Sequence, residues 1–358
     1  MRDYNPGAMS DEHYMRRALE LAQNGRYTVS PNPMVGCVIV RDGSVIAEGW
    51  HQRAGEAHAE IDALRKCDDA RGATMYVTLE PCSHRGRTGP CAEAVIAAGL
   101  GRVVIAMEDP HDVVNGRGIA MLRAASIDVT TGVLEADARK LNEKFVWSIS
   151  QKLPFVLVKA GMTLDGKLAT VTRDSQWITT EAAREQSLML REEFDAIVVG
   201  SGTVRIDNPR LTRRRNIGQT QWTRVVLDGD GDAPAHSQVF NDGGKTILFT
   251  SHDPGVPSNV EVVRTDGRLD LERVFGELYS RGIHSLIVEG GALVHSEVIR
   301  RGLWQKMILF IAPMIVGGGE APAIFSGEGV ARLTDAYRFR FDRAEFVGSD
   351  LMVTAYPI

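Results

Sequence analysis

Four cysteines in 358 residues are too few for a disulfide framework. No apolar leader is visible in "MRDYNPGAM", so a reducing, cytoplasmic setting is expected. No apolar run reaches the roughly 20 residues a bilayer span needs. The longest candidate, "MILFIAPMIVGG", is short and carries Pro313. The formal net charge of −5 lacks the basic excess of a protein built to neutralise many phosphates. It leaves room for a local basic pocket that holds one phosphate. No fixed-period repeat, low-complexity tract or Walker sequence occurs, and "GSGTVR" lacks the third glycine of the dinucleotide fingerprint. What remains, 44% apolar and 24% charged, is the composition of a soluble globular chain long enough for two domains.

The first half reads as alternating strands and helices. "SDEHYMRRALELAQNG" predicts a helix capped by Ser10 and stopped by Gly25, with Met15, Ala18, Leu19 and Ala22 on one face. "VGCVIVRDGSVIAEGWH" predicts a hairpin turning at Asp42-Gly43. "HAEIDALRKC" and "CAEAVIAAG" predict helices, "ATMYVTLEP" and "RVVIAM" strands, and "EADARKLNEKFVWSIS" a helix closing the region near residue 150. After Pro154 a new series begins, with strands such as "FVLVKAGMTLDG", "DAIVVGSGTV" and "SLIVEGG". It includes the helix "TTEAAREQSLMLREEF", capped by Thr179 or Thr180, and a terminal hairpin. The alternation implies an α/β chain with mostly parallel sheets.

Chemistry concentrates first around His58-Ala59-Glu60, at a helix start, and Cys82 and Cys91, on either side of a small basic loop. One histidine and two thiolates are a normal ligand set for a catalytic zinc with one position left for water. Such an ion lowers the pKa of bound water to about 7. Glu60 stands two residues from His58, off the same helical face. It is therefore better read as the acid/base that takes the water's proton and passes it to a leaving amine than as a fourth ligand. The zinc-deaminase signature is His-x-Glu followed by Pro-Cys-x-x-Cys. Here Pro81-Cys82 is followed by eight residues before Cys91.

The stretches "PNPMVGCVIV", "GWHQRAGEAHAE" and "VTLEPCSHRGRTGPC", with Asp109-Pro110, resemble the deaminase half of the bifunctional riboflavin-biosynthesis deaminase–reductases. In that family the longer insert between the cysteines is normal. The resemblance covers nearly the whole chain. It implies a cytidine-deaminase-like three-layer α/β domain at residues 10–150, acting on a pyrimidine that carries a ribose 5-phosphate. His84, Arg85 and Arg87 then become donors to that phosphate, with Gly86 and Gly89 allowing close backbone approach. Asn32, between two prolines, becomes a reader of the pyrimidine edge, and His51 a substrate contact.

In the second half, "VEGGALVHSE" runs from strand through a double glycine into a helix, so free N–H groups and a positive dipole end face a possible phosphate. Lys159 and Glu289 sit at strand positions where core residues are expected, which calls for a partner or a task. "KAGMTLDGK", "SQWIT", "GSGTVRIDNPRLT" and "IVEGGALVHS" are similar to the family's reductase half, a dihydrofolate-reductase-like domain at residues 154–358. The resemblance implies that NADPH delivers hydride to C1 of the substrate's ribose. Gly161, Trp177, Thr203, Asp207, Gly291, Ala292, Leu293, Val294, His295, Ser296 and Glu297 would touch the cofactor. Lys159, Ser175, Arg191, Leu211, Arg214 and Glu289 would touch substrate. The loop between Arg215 and Thr223 is shorter than the family's. The expected partners are a small-molecule ribotide, no nucleic acid and no membrane, with assembly into a homo-oligomer. The rival readings are a single-activity nucleoside or RNA-base deaminase with a structural second half, and a non-catalytic nucleotide binder.

Overall fold

The computed structural model describes residues 10–83, 89–111, 115–215, 217 and 222–358, and divides into two compact units between Lys152 and Leu153. No helix among the described residues is long and apolar enough to cross a membrane.

The first unit contains α1 (Asp11–Ala22), β1 (Gly36–Arg41), β2 (Ser44–Trp50), α2 (Ala59–Arg65), β3 (Thr74–Leu79), α3 (Cys91–Ala97), β4 (Arg102–Met107), α4 (Arg117–Ala124), β5 (Asp128–Thr131), α5 (Glu135–Leu141) and α6 (Glu143–Gln151). Its sheet has the order β2-β1-β3-β4-β5. β1 pairs antiparallel with β2 and β3, whereas β3, β4 and β5 run parallel, so only half of its pairings are of the expected parallel kind. The short Asp42-Gly43 turn forces the first antiparallel pair. Both residues have positive φ, 49° and 77°, as a two-residue hairpin requires. Two helix groups, α1 with α5 and α2 with α3 and α4, pack on the sheet to make three layers. Ser10 caps α1, its side chain accepting from the His13 N–H at 3.3 Å. Met15, Ala18, Leu19 and Ala22 are buried as their spacing predicts.

The expected single helix over residues 135–150 is two helices broken at Asn142. The amide of Asn142 is engaged elsewhere, accepting from the Met34 N–H at 2.8 Å and donating to the Met34 carbonyl at 2.9 Å.

The second unit contains β6 (Phe155–Thr163), α7 (Glu181–Glu192), β7 (Ala196–Gly200), α8 (Ser201–Asp207), β8 (Thr223–Asp228), α9 (Gln238–Asn241), β9 (Thr246–Thr250), β10 (Glu261–Arg264), α10 (Leu271–Ser280), β11 (Ser285–Val288), α11 (Ala292–Arg300), β12 (Lys306–Ala312), β13 (Phe339–Val347) and β14 (Asp350–Pro357). Its nine strands follow the order β10-β9-β8-β7-β11-β6-β12-β14-β13. All pairings are parallel from β10 to β12, and the terminal hairpin adds an antiparallel edge. The parallel strands are near-continuous apolar runs because both faces are covered. Val225, Ile247, Phe249, Leu286 and Val288 belong to one buried cluster with Phe275 and Leu278 of α10. The strand expected over "DAIVVGSGTV" stops at Gly200, and Ser201–Asp207 turns into α8. Thr180, one of the two predicted caps, caps α7. Its backbone N–H and hydroxyl both donate to the buried Asp350 carboxylate, at 2.7 and 2.9 Å.

Candidate active sites

In the first unit the functional side chains gather where β3 ends and α2 and α3 begin, which is where parallel α/β sheets place ligands. His58 is the residue before α2, with extended backbone (φ −71°, ψ 164°). It therefore does not obey helical face spacing, and Glu60, which stays out of the donor set, feels its charge. His58 Nδ1 lies 3.6 Å from Cys82 Sγ and 3.2 Å from Cys91 Sγ, and all three donors stand within 4.8 Å of one another. Donors around one tetrahedral zinc stand about 3.5 to 3.8 Å apart, given metal–ligand bonds of about 2.1 to 2.3 Å. The donor set and spacing fit that ion. Cys91 opens α3, and its N–H donates to Cys82 Sγ at 3.3 Å. A helix start and a hydrogen-bonded thiol both favour thiolate. The Cys91 hydrogen bond pulls the Cys82 thiol well below its ordinary range, and the same pairing, with burial, raises Cys91. A cation held between the two sulfurs would favour thiolate at both. His58 is raised, chiefly by its hydrogen bond to Cys82.

Glu60 is buried at 3% exposure and hydrogen-bonds with Cys91. Burial lifts its carboxyl to about 7, while the charge of His58 pulls the other way. A carboxyl poised near neutrality suits proton transfer in both directions. His51 is buried beside His58. Its Nε2 meets Asn32 Nδ2 at 3.1 Å, its Nδ1 meets the Ala57 carbonyl at 3.0 Å, and its ring stands edge-on to His58 at 5.4 Å. Burial, opposed by the Ala57 contact, lowers its pKa, so it is a neutral neighbour near pH 7. Asn32 and His51 are thus brought together next to the metal-type cluster. His84, Arg85 and Arg87, with Gly86, lie outside the described residues.

Two residues of this unit carry more than their sequence context suggested. Asn142 fixes Met34, hence the loop that carries Asn32. Glu80 is 3% exposed and accepts from four backbone N–H groups: Asp109 at 3.2 Å, Gly116 at 2.9 Å, Gly118 at 2.9 Å and Ile119 at 3.2 Å. It ties that segment to the turn bearing Pro81 and Cys82. A Cβ at Gly118 would stand 2.0 Å from the Pro81 carbonyl oxygen, so only glycine permits the approach. The sequence signal was an acidic residue ending an apolar strand just before Pro81-Cys82.

In the second unit a cavity of about 460 Å³ opens beside β6 and α7. Lys159, Ser175, Arg191 and Arg214 line it, and so do Gly161 and Trp177, which had been assigned to the cofactor. Glu289 stands behind Lys159 and Arg191. Arg191 grips it with two bonds, Nε to Oε1 at 2.7 Å and Nη2 to Oε2 at 2.8 Å, and Lys159 Nζ meets Oε2 at 3.2 Å. Burial alone would raise the Glu289 carboxyl, but the two cations outweigh it and hold it at about 2. Burial lowers Lys159 against the pull of Glu289. A charged buried triad with every carboxylate oxygen paired is a preorganised polar floor. Leu211 is 6% exposed with φ 54°, and it contributes its carbonyl to Trp222 Nε1 at 2.7 Å.

Of the other expected cofactor contacts, Thr203 and Val294 come to the glycine turns at the ends of β7 and β11, whereas Asp207 ends α8. The first N–H groups of α11 have no side-chain cap, and Gly291 has φ 64°. A Cβ at Gly290 would come within 2.7 Å of Val199, and one at Gly291 would stand 3.5 Å from Thr203 Oγ1. A close-packed glycine turn with free amides fits a dinucleotide's phosphates. Leu293 is 74% exposed, Val294 lies against Gly200, and burial raises Asp207. Two residues of the stretch have other partners, and a third is buried. Ser296 Oγ accepts from the Ser326 N–H at 2.7 Å, Glu297 pairs with Arg300 and Arg301 at 2.8 and 2.6 Å, and His295 is buried at 1% exposure.

A His–Cys–Cys cluster with a buried carboxyl, followed in the same chain by a parallel-sheet unit with a polar cavity and a phosphate-type turn, defines a two-activity enzyme: a zinc-type deaminase joined to a dinucleotide-dependent reductase. A family model for the cytidine and deoxycytidylate deaminase zinc-binding region matches residues 8–107, and one for the RibD C-terminal domain matches residues 154–353. The chain belongs to the RibD family. It is 41% identical to the riboflavin biosynthesis protein RibD of Bacillus amyloliquefaciens, over 97% of this chain and 96% of that one. It is 40% identical to RibD of Escherichia coli (strain K12), over 96% and 98%. Among solved structures it resembles Acinetobacter baumannii RibD, with TM-score 0.89 and 34% identity over 97% of this chain and 99% of that one. It resembles equally the diaminohydroxyphosphoribosylaminopyrimidine deaminase/5-amino-6-(5-phosphoribosylamino)uracil reductase of Thermotoga maritima, with TM-score 0.89, 38% identity and the same coverage.

Proposed function

We propose that this bifunctional riboflavin-biosynthesis enzyme hydrolytically deaminates 2,5-diamino-6-ribosylamino-4(3H)-pyrimidinone 5′-phosphate. It then reduces the ribosyl group with NADPH to give 5-amino-6-ribitylaminouracil 5′-phosphate. The observation that carries the reading is the His58–Cys82–Cys91 cluster set against the buried carboxyl of Glu60. His58, Cys82 and Cys91 would hold zinc, which supplies Lewis acidity when bound. Glu60 takes a proton from the attacking water and returns it to the departing amine. Asn32, steadied by His51, offers its amide to the pyrimidine edge. Arg85, Arg87 and His84 are assigned to the substrate phosphate on their sequence alone.

In the second unit NADPH supplies a hydride when bound, and opening the ribose ring requires one proton beside it. Lys159 faces the cavity as a protonated donor. Arg191 and Glu289 fix its position, and Glu289, held at about 2, stays ionised and keeps both cations in place. Arg214 presents a further charge to the anionic substrate. The amides at Gly291–Val294 are assigned to the cofactor's phosphates. The paired triad in a cavity favours this over a merely structural second half. We further assign the protein to a homo-oligomer. In support, the edge strand β13 exposes Phe339, Phe341 and Phe346, an apolar edge of the kind a partner covers.

Mass spectra of the products of the diaminopyrimidinone ribotide, with and without NADPH, test the reading. Without NADPH one amine should be replaced by oxygen and nothing more. With NADPH the product should also gain two hydrogens. An amine exchange that is never followed by reduction would leave a single-activity deaminase.

A further inference from the structure

The reductase cavity has one arginine that no role above uses. Arg184 is the fourth residue of α7, where a cation faces the unfavourable positive end of the helix dipole. Its guanidinium carbon lies 4.4 Å from the centroid of the Trp177 ring, and Nη1 donates to the Thr179 carbonyl. Both Trp177 and Arg184 line the cavity, and Trp177 is 63% exposed although one face of its indole carries the guanidinium. Thr179 in turn packs on β6, since a Cβ at Gly161 would stand 3.1 Å from Thr179 Cγ2. The next residue, Thr180, is fixed by Asp350. The anchored cation covers one face of an indole that is otherwise largely exposed at the cavity wall.

We infer that Arg184 is a positioning residue of the reductase, which clamps the Trp177 indole so that the ring's other face stands ready as a stacking wall for a flat ring of the bound dinucleotide. The chain of support runs from β6 through Thr179 to the guanidinium and then to the ring. It gives Gly161 a structural task, to admit Thr179. Stacking on a preset wall costs less ordering on binding than stacking on a mobile one. The inference rests on the reading of Trp177 as a cofactor contact.

The test uses the full-length, zinc-loaded protein, titrated calorimetrically with NADPH in the absence of substrate. Arg184→Ala should weaken NADPH binding about 3- to 30-fold, the range of a cation–π contact. kcat at saturating NADPH should change by less than about threefold, so the loss appears in KM. Arg184→Gln, which keeps a donor for the Thr179 carbonyl without the charge, should lie between parent and alanine. Trp177→Leu should lose at least as much as Arg184→Ala, and the double variant should be no worse than Trp177→Leu, because Arg184 acts through the ring. In the near-ultraviolet circular dichroism of the cofactor-free protein, Arg184→Ala should lose the band that Trp177→Leu loses. An unchanged thermal midpoint of the second unit in the cofactor-free variants reports that the unit carrying Arg184 and Trp177 is folded. NADPH affinity within twofold of the parent in Arg184→Ala, or additive losses in the double variant, would overturn the inference alone. A parent protein that binds no NADPH would overturn the reductase reading and this inference with it.

Discussion

Asn142 and Met34, 108 residues apart, exchange two hydrogen bonds, the Met34 N–H to Asn142 Oδ1 at 2.8 Å and Asn142 Nδ2 to the Met34 carbonyl at 2.9 Å. A side-chain amide here does what a neighbouring strand would do for a loop residue: it satisfies both backbone groups. The arrangement explains why the helix stops at Asn142 and restarts, and why the Pro31-Asn32-Pro33 segment holds one place beside His51. Asn142→Ala should destabilise the first unit by about 1–3 kcal/mol, since two partly buried backbone groups lose their partners. Hydrogen exchange at the Met34 amide and the first thermal transition would measure it. Asn142→Asp should not rescue, because a carboxylate accepts from the N–H but turns a second acceptor toward the carbonyl. Unchanged Met34 protection in both variants would remove Asn142 as the anchor.

Cys82 and Cys91 are each expected to be necessary for metal. The purified protein should carry about one zinc per chain, and Cys82→Ser or Cys91→Ser should lose most of it, because two remaining donors do not make a closed site. Elemental analysis after dialysis reads this directly. Full zinc content in both variants would place the ion elsewhere.

The elements legible from the residues alone were those whose cause is local. Asp42-Gly43 needs two positive φ angles, and its neighbours alternate, so the hairpin could be read off. Ser10 and Thr180 announce helix starts. His58-Ala59-Glu60 and Pro81-Cys82 carry the chemistry of a metal site in their own side chains. What escaped depends on distant partners. The break at Asn142 is set by Met34, and Glu80 acts through amides between Asp109 and Ile119. The mixed first sheet depends on β1 pairing with β3 as well as β2. Helical face spacing does not describe the relation of His58 to Glu60, because His58 precedes its helix in extended backbone, yet the cluster of donors still leaves Glu60 out. Arg184 carries no signal in the sequence, and only the ring at 4.4 Å gives it a task.

Glu60→Gln should retain zinc and fold yet lose deamination by about 10²–10⁴-fold, since the amide is nearly isosteric but cannot cycle a proton. Reductase turnover on deaminated substrate should persist, because its residues lie in the other unit. Rates of the two half-reactions, measured separately on one preparation, decide it. Deaminase activity within threefold of the parent would assign the proton transfer to another group.

His295 makes the second unit sensitive to acid. It is 1% exposed, and burial pulls its pKa from 6.5 to about 4, only partly opposed by hydrogen bonding to the backbone at Val288 and Ile324. Its unfolded form takes up a proton near pH 6.5, whereas the folded form resists until about 4. Between those values the unfolded state binds more protons, so stability falls as pH falls. The full effect, reached at about pH 4, is up to about 3 kcal/mol lost relative to neutral pH. His295→Leu, which keeps the volume and removes the titration, should flatten this slope. It should be at least as stable as the parent at pH 5, because no imidazole is then left in a site that disfavours its charged form. The measurement is the thermal midpoint of the second unit for parent and variant, taken from pH 7.5 down to pH 4.5. Parallel curves would mean that His295 gains a partner or is protonated in the folded protein, and that the acid sensitivity arises at another group.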